Sequence, residues 1–196
     1  MKILTAIGAL AIVVAVVAGG FFFGGFYNIA GTAEDPAIVK WALIQVRTNS
    51  IGRHANDTPP VKFADPANVQ AGAREFAEHG CTNCHGAPGV NWAKFSEGLH
   101  PDPPDLKDVV NVRTPAQLFW VIKNGINMTG MPSFALAGAT DDDLWKIVAF
   151  LKKLPTISEA DYKSWTAPPA SASPPAPPAA APTETPAPAA PQPPKQ

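Results

Sequence analysis

Cys81-Thr82-Asn83-Cys84-His85 decides how the rest of this chain is read. Two thiols three positions apart, with an imidazole directly after the second, admit three chemistries. A redox dithiol places C-x-x-C just after a strand, at a helix N-terminus in a βαβ unit. Here the pair follows a helical pattern instead. Asp65-Pro66 is a cap followed by proline, Val69, Ala73 and Phe76 recur at helical spacing, and Gly80 is a stop. A zinc site needs further ligands. No second C-x-x-C or H-x-x-x-H pair occurs, and His54, His79 and His100 are scattered. The third chemistry is c-type haem attachment, for which C-x-x-C-H is the motif. Cys81 and Cys84 then form thioethers to the two vinyl groups of one haem c, and His85 is an axial ligand of its iron.

The sixth iron position separates electron carriers from oxygen-binding or peroxidatic proteins. Met1 lies in an apolar leader, so Met128 and Met131 are the available thioethers. Met131 is the candidate, because Thr129-Gly130-Met131-Pro132-Ser133-Phe134 is a non-helical loop able to approach a haem. Met128 is expected to pack. Met128 as the ligand, a histidine or an open site are the alternatives.

Two more helices frame this region. Thr114-Pro115 opens one that carries Leu118, Phe119, Val121 and Ile122 and stops at Asn124-Gly125. Thr140 caps another, with Asp141, Asp142 and Asp143 in its first turn, Lys152 and Lys153 in its last, and Pro155 beyond. No alternating strand pattern appears. The expected fold is mostly α: three modest helices joined by loops over residues 61–165, around one large bound group.

Cys81-Thr82-Asn83-Cys84-His85-Gly86, then Pro103-Pro104-Asp105-Leu106 and Gly130-Met131-Pro132, in this order, closely resemble a monohaem class I cytochrome c over residues 64–156. The resemblance implies that the first and last helices cross through a glycine and aromatics; Gly72, Phe76 and Phe150 match. Residues 1–165 as a whole resemble membrane-anchored bacterial members. That likeness implies a periplasmic one-electron carrier, with haem attachment outside the cytoplasmic membrane.

The flanks differ in composition. Ile3 to Tyr27 carries no charge and ends in Phe21, Phe22, Phe23, Phe26 and Tyr27, the length of a bilayer-crossing helix with an interfacial aromatic belt. Residues 1–30 are therefore expected to be an uncleaved single-pass anchor in the bacterial inner membrane. The competing reading is a cleaved signal, with Gly31-Thr32-Ala33 as the site. Lys2 before the span and Glu34 and Asp35 after it favour an outward-facing bulk. In residues 31–60, Asp35-Pro36 is read as a cap opening an apolar helix to about Arg47, with 48–60 as a hinge. That helix lies either in the headgroup region or on the globular domain. Residues 166–196, with 12 of the chain's 23 prolines at 167–196, are expected to be a disordered Pro/Ala-rich tail.

A net charge of −1 argues against nucleic-acid binding, and two cysteines argue against a disulfide scaffold. Lys94, Lys107 and Lys123 lie among Asp102, Asp105 and Asp108, so docking is expected to be apolar and weakly salt-dependent. Pro88, Val90, Trp92 and Phe134 are either its rim or ordinary packing. The expected function is electron transfer as a shuttle or subunit, without enzymatic turnover. Its partners would be a dehydrogenase or quinol-oxidising complex on one side and an oxidase or other terminal acceptor on the other. A peroxidase-like enzyme or a haem ligand sensor is the alternative if the methionine is labile.

Overall fold

Eight α-helices and two short 3-10 turns, Lys94–Gly98 and Leu154–Thr156, make up the regular structure in the computed structural model, which describes residues 2–60 and 62–168. The helices are α1 (Lys2–Phe23), α2 (Ala37–His54), α3 (Pro66–Glu78), α4 (Thr82–His85), α5 (Leu106–Val112), α6 (Pro115–Asn124), α7 (Asp141–Lys153) and α8 (Glu159–Thr166). Among the described residues there is no strand, and a single bridge joins Ala87 and Val90. The expected Pro/Ala-rich tail lies, from residue 169 on, outside the described residues.

The core is organised by α3 crossing α7. Gly72 is where they meet: a Cβ there would stand 1.9 Å from the Lys146 carbonyl oxygen, so only hydrogen lets the two backbones approach so closely. Phe76 and Phe150 pack beside the crossing at 5.2 Å between ring centroids. α6 lies across α7, with Phe119 stacked on Trp145 at 4.1 Å and 8°, an offset aromatic pair of the kind that adds to simple burial.

Local chemistry fixes the helix ends as their sequences require. Asp65 accepts from the Ala67 N–H, and Thr114 and Thr140 each form a reciprocal capping box, with Gln117 and Asp143 respectively. Asp35 does otherwise. Pro36 is extended (φ −53°, ψ 140°) and is itself the cap residue, without a side-chain hydrogen bond. The Asp35 carboxylate accepts from the Tyr27 hydroxyl and lies 3.6 Å from His100 Nε2. The helix after it also runs past Arg47 to His54, so residues 48–54 are helical and not hinge. Ile51, 3% exposed, is buried against the domain, and His54 stacks on Trp120 of α6 at 6.0 Å. Packing on the globular domain holds this end of α2.

α5 and α8 extend the expected set of three helices. Asp105 caps α5 by accepting from the Lys107 N–H. The Ser158 hydroxyl accepts from the Asp161 N–H at the start of α8. α1 is the one helix among the described residues long and apolar enough to cross a membrane, with mean hydropathy 2.5, and none of its residues is buried against the rest of the chain. It fits a single-pass anchor. It ends at Phe23, short of Tyr27, because Gly24 and Gly25 turn the chain there.

Candidate cofactor cleft

α3 ends in a stop that throws the chain into the cysteine motif. His79 caps it, Gly80 takes φ +74°, and the Cys81 N–H donates to the Phe76 carbonyl. The next residues wind into α4, whose turn closes as the His85 N–H donates to the Cys81 carbonyl at 3.0 Å. One helical turn thus carries both thiols and the imidazole. Gly86, at φ +64°, ends it, and a side chain there would meet the Val90 carbonyl oxygen at 2.9 Å.

Cys81 is buried and Cys84 partly so, and the two are not joined as a disulfide. Burial pushes the Cys81 thiol up to about 12, outweighing a backbone hydrogen bond that favours the thiolate. The thiol is therefore neutral. His85 Nδ1 lies 3.1 Å from the Pro104 carbonyl oxygen. A carbonyl only accepts, so Nδ1 carries the proton and Nε2 keeps its lone pair. Burial lowers the His85 pKa, and the Pro104 bond partly opposes this. The result is a neutral, oriented imidazole with a free nitrogen, the form a metal ligand takes.

Met131 comes on a loop folded against the end of α6. Gly125 (φ +70°) makes this possible: a Cβ there would stand 2.6 Å from the Pro132 carbonyl carbon and 2.8 Å from the Met131 oxygen. Three further bonds pin the loop. The Ile126 N–H donates to the Met131 carbonyl, the Met131 N–H donates to the Thr129 hydroxyl oxygen, and the Ser133 hydroxyl donates to the Lys123 carbonyl at 2.7 Å.

These parts border one cleft of about 420 Å³, within the roughly 300–1,000 Å³ range of cofactor sites. Cys81, Cys84, His85 and Met131 all line it, and most of the remaining wall is apolar, including Leu99, Leu118, Ile122 and Phe134. The fit to a haem rests on this donor set: two thiols and an unprotonated imidazole nitrogen on one helical turn, a thioether on a braced loop, and a largely apolar lining. Among the described residues no group of three or more His, Cys, Asp and Glu is arranged to hold a metal ion. His54 and His100 are engaged with Trp120 and Asp35, while His79 lies against Phe134 at 5.9 Å.

Met128 does not pack. It is 89% exposed, with its backbone in the left-handed region at φ 59°, where the Asn127 side-chain oxygen accepts from its N–H. Of the rim candidates, Phe134 is buried in the cleft wall, whereas Val90 and Trp92 are exposed and line, with Pro88, a second hollow that Cys84 and His85 also border. Lining residues absent from the sequence-based candidates include Arg47 and Ile51 of α2, Arg113 and Gln117. Ile51 was hidden by the hinge expected over 48–60; its spacing of one helical turn from Arg47 puts the two on a shared face once α2 runs to His54.

Tyr162 of α8 is buried against Phe150, and its hydroxyl has no hydrogen-bond partner among the described residues. Burial first, then the neighbouring Cys81, pushes its pKa up to about 12, which keeps it a neutral phenol.

Compared with known proteins, residues 67–151 match the family described as cytochrome C oxidase, cbb3-type, subunit III. No curated protein and no solved structure matches the chain.

Proposed function

We propose that residues 67–151, which match the family described as cytochrome C oxidase, cbb3-type, subunit III, form a class I c-type cytochrome domain, and that the protein carries single electrons as a membrane-anchored cytochrome whose haem iron would be held by His85 and Met131. The observation that carries this reading is the convergence of Cys81, Cys84, His85 and Met131 on one largely apolar cleft.

Cys81 and Cys84 would hold one haem c through two thioethers. Bound there, the haem supplies a one-electron Fe(II)/Fe(III) couple. The chain's own residues do the rest. His85 presents Nε2 because the Pro104 carbonyl occupies the proton on Nδ1. Thr129, Ile126 and Lys123 hold the loop that presents the Met131 sulfur. The apolar walls exclude water and favour the less charged ferrous state, and a thioether ligand does the same. With His85 and Met131 both given to the haem, the chain would offer a substrate no place on it, and the protein would act as a carrier without turnover of its own.

We place the domain on the outer, periplasmic face of a bacterial inner membrane, with α1 retained as its anchor. It would pass electrons from a dehydrogenase or quinol-oxidising complex to an oxidase or other terminal acceptor. The matched family's description, a subunit of an oxidase, supports the acceptor side of that assignment.

Optical spectra of both redox states test the ligation. The wild type should be low-spin with a methionine-to-iron band that Met131→Ala abolishes. A high-spin resting wild type would overturn the carrier reading in favour of an open, peroxidatic or ligand-sensing haem. Haem colour should survive denaturing electrophoresis and vanish in Cys81→Ala/Cys84→Ala. Recovery of the protein in the soluble periplasmic fraction with a new N-terminus near Glu34 would refute the anchor.

A further inference from the structure

The cleft is not built by the matched domain alone. α2 precedes that domain in the chain, yet two of its residues, Arg47 and Ile51, line the cleft. Ile51 is buried. One turn before it, Arg47 brings a guanidinium to the same wall, and Arg113, after α5, brings a second. Neither side chain has a hydrogen bond or ion pair among the described residues, although the chain pairs Lys94, Lys123 and Lys146 with carboxylates elsewhere. Among the described residues, Asp102 is the one carboxylate lining the cleft, and it joins no ion pair with either arginine. Two half-exposed guanidinium groups facing a largely apolar cavity call for an anion on whatever fills it. A haem carries two carboxylates.

α2 is also fixed at both ends. His54 stacks on Trp120 behind Ile51. Ahead of the helix, Asp35 contacts His100, which directly follows the cleft-lining Leu99. Resting on the haem reading above, we propose that α2 is a wall of the haem site, with Ile51 closing its apolar side and Arg47 acting as a positioning residue that gives a haem carboxylate its counter-charge.

Removing a positive charge beside the haem favours the ferric state, since that state is the more positive one. The midpoint potential of the full-length, detergent-solubilised holoprotein is therefore expected to fall in Arg47→Gln. The expected shift is about three- to tenfold in the Fe(III)/Fe(II) ratio at fixed applied potential. Arg47→Lys should recover most of it. Arg53→Gln, on the exposed end of α2 and outside the cleft, should leave the potential unchanged. An unchanged potential in Arg47→Gln, or an equal fall in Arg53→Gln, would overturn the proposal. A second measurement needs no variant: in the wild-type holoprotein, phenylglyoxal should modify Arg53 and spare Arg47, and equal labelling of both would overturn it. A wild type without covalent haem on denaturing gels would sink the haem reading itself, and the proposal with it. Haem-positive protein with an indifferent Arg47 would sink this inference alone.

Discussion

Adding one methyl group to Gly72 tests the packing on which the domain depends. Its Cβ would stand 1.9 Å from the Lys146 carbonyl oxygen and 2.4 Å from the carbonyl carbon. Both atoms are backbone, so no rotamer change relieves the contact, and α3 and α7 must part by at least about 1.1 Å to reach the 3.0 Å floor of real contacts. Separation on that scale loosens the Phe76–Phe150 pair and the fully buried Ala73, Ile147 and Val148. Overpacking typically costs about 1–3 kcal/mol and more where backbones collide, so about 3–4 kcal/mol is expected here. Alanine's better helix propensity returns about 1 kcal/mol. The net loss of about 2–3 kcal/mol corresponds to a fall in Tm of roughly 10–20 °C for a domain of this size. Thermal unfolding of the holoprotein, followed by far-UV circular dichroism, measures it. Gly52→Ala is the matched control, because Gly52 sits within α2 and its added Cβ would meet nothing within 4 Å. That change should raise stability by about 0.5–1 kcal/mol. A Gly72→Ala protein melting within about 2 °C of wild type, or Gly52→Ala falling as far as Gly72→Ala, refutes the reasoning.

Further outcomes follow from other contacts. Gly125→Ala forces a left-handed alanine against the backbone of Met131 and Pro132, so it should displace that loop; loss or weakening of the methionine-to-iron absorption band, with covalent haem retained, is the expected result. Lys152 donates to the Val110 and Arg113 carbonyls at the end of α5, and Lys152→Met should lower stability by about 1–2 kcal/mol in urea titrations. Thr140→Val removes a helix cap and should cost about 1 kcal/mol at pH 7. The Thr140 hydroxyl, more than Lys146, holds the Asp143 carboxyl below its ordinary 3.8, against a smaller opposing effect of burial. A depressed carboxylate contributes stability above its unfolded pKa and loses it as pH falls through the folded one. The wild-type advantage over Thr140→Val should therefore shrink below about pH 4, and a constant gap would contradict the charge-assisted bond.

Where local chemistry alone decides an element, the sequence was enough to read it. Asp65, Thr114 and Thr140 each bond an N–H within three residues, and nothing distant competes for them. Asp35-Pro36 carries the same cap-then-proline pattern, but its carboxylate goes to Tyr27 and His100. A cap signal cannot report a partner 65 residues away. α5 and α8 were missed although Asp105 and Ser158 cap them; at 7 and 8 residues they are too short to show a periodicity. The crossing through Gly72, Phe76 and Phe150 was legible by resemblance. The four cleft residues were legible in the C-x-x-C-H motif and the Gly-Met-Pro loop, and the structure brings all four to one cavity. The contribution of α2 was not, because the sequence ends that helix at about Arg47 and places Ile51 in a hinge, and an apolar helix with Arg47 on it reads the same whether it meets lipid, water or a cofactor.

Gly72 and Lys146 are separated by about 70 residues, and everything that borders the cleft from Phe76 to Met131 lies between them. The contact of α3 with α7 is thus a clasp that closes the chain into a ring, with the cysteine motif just inside one end and the methionine loop toward the other. Opening the clasp releases all of these residues together, since none has a route to the cleft that bypasses it. A group bonded to the motif and ligated by the loop would act as a cross-brace within that ring, shrinking the unfolded ensemble as a cross-link does. Cofactor grip and fold stability are then one cooperative property of the molecule, lost in one step.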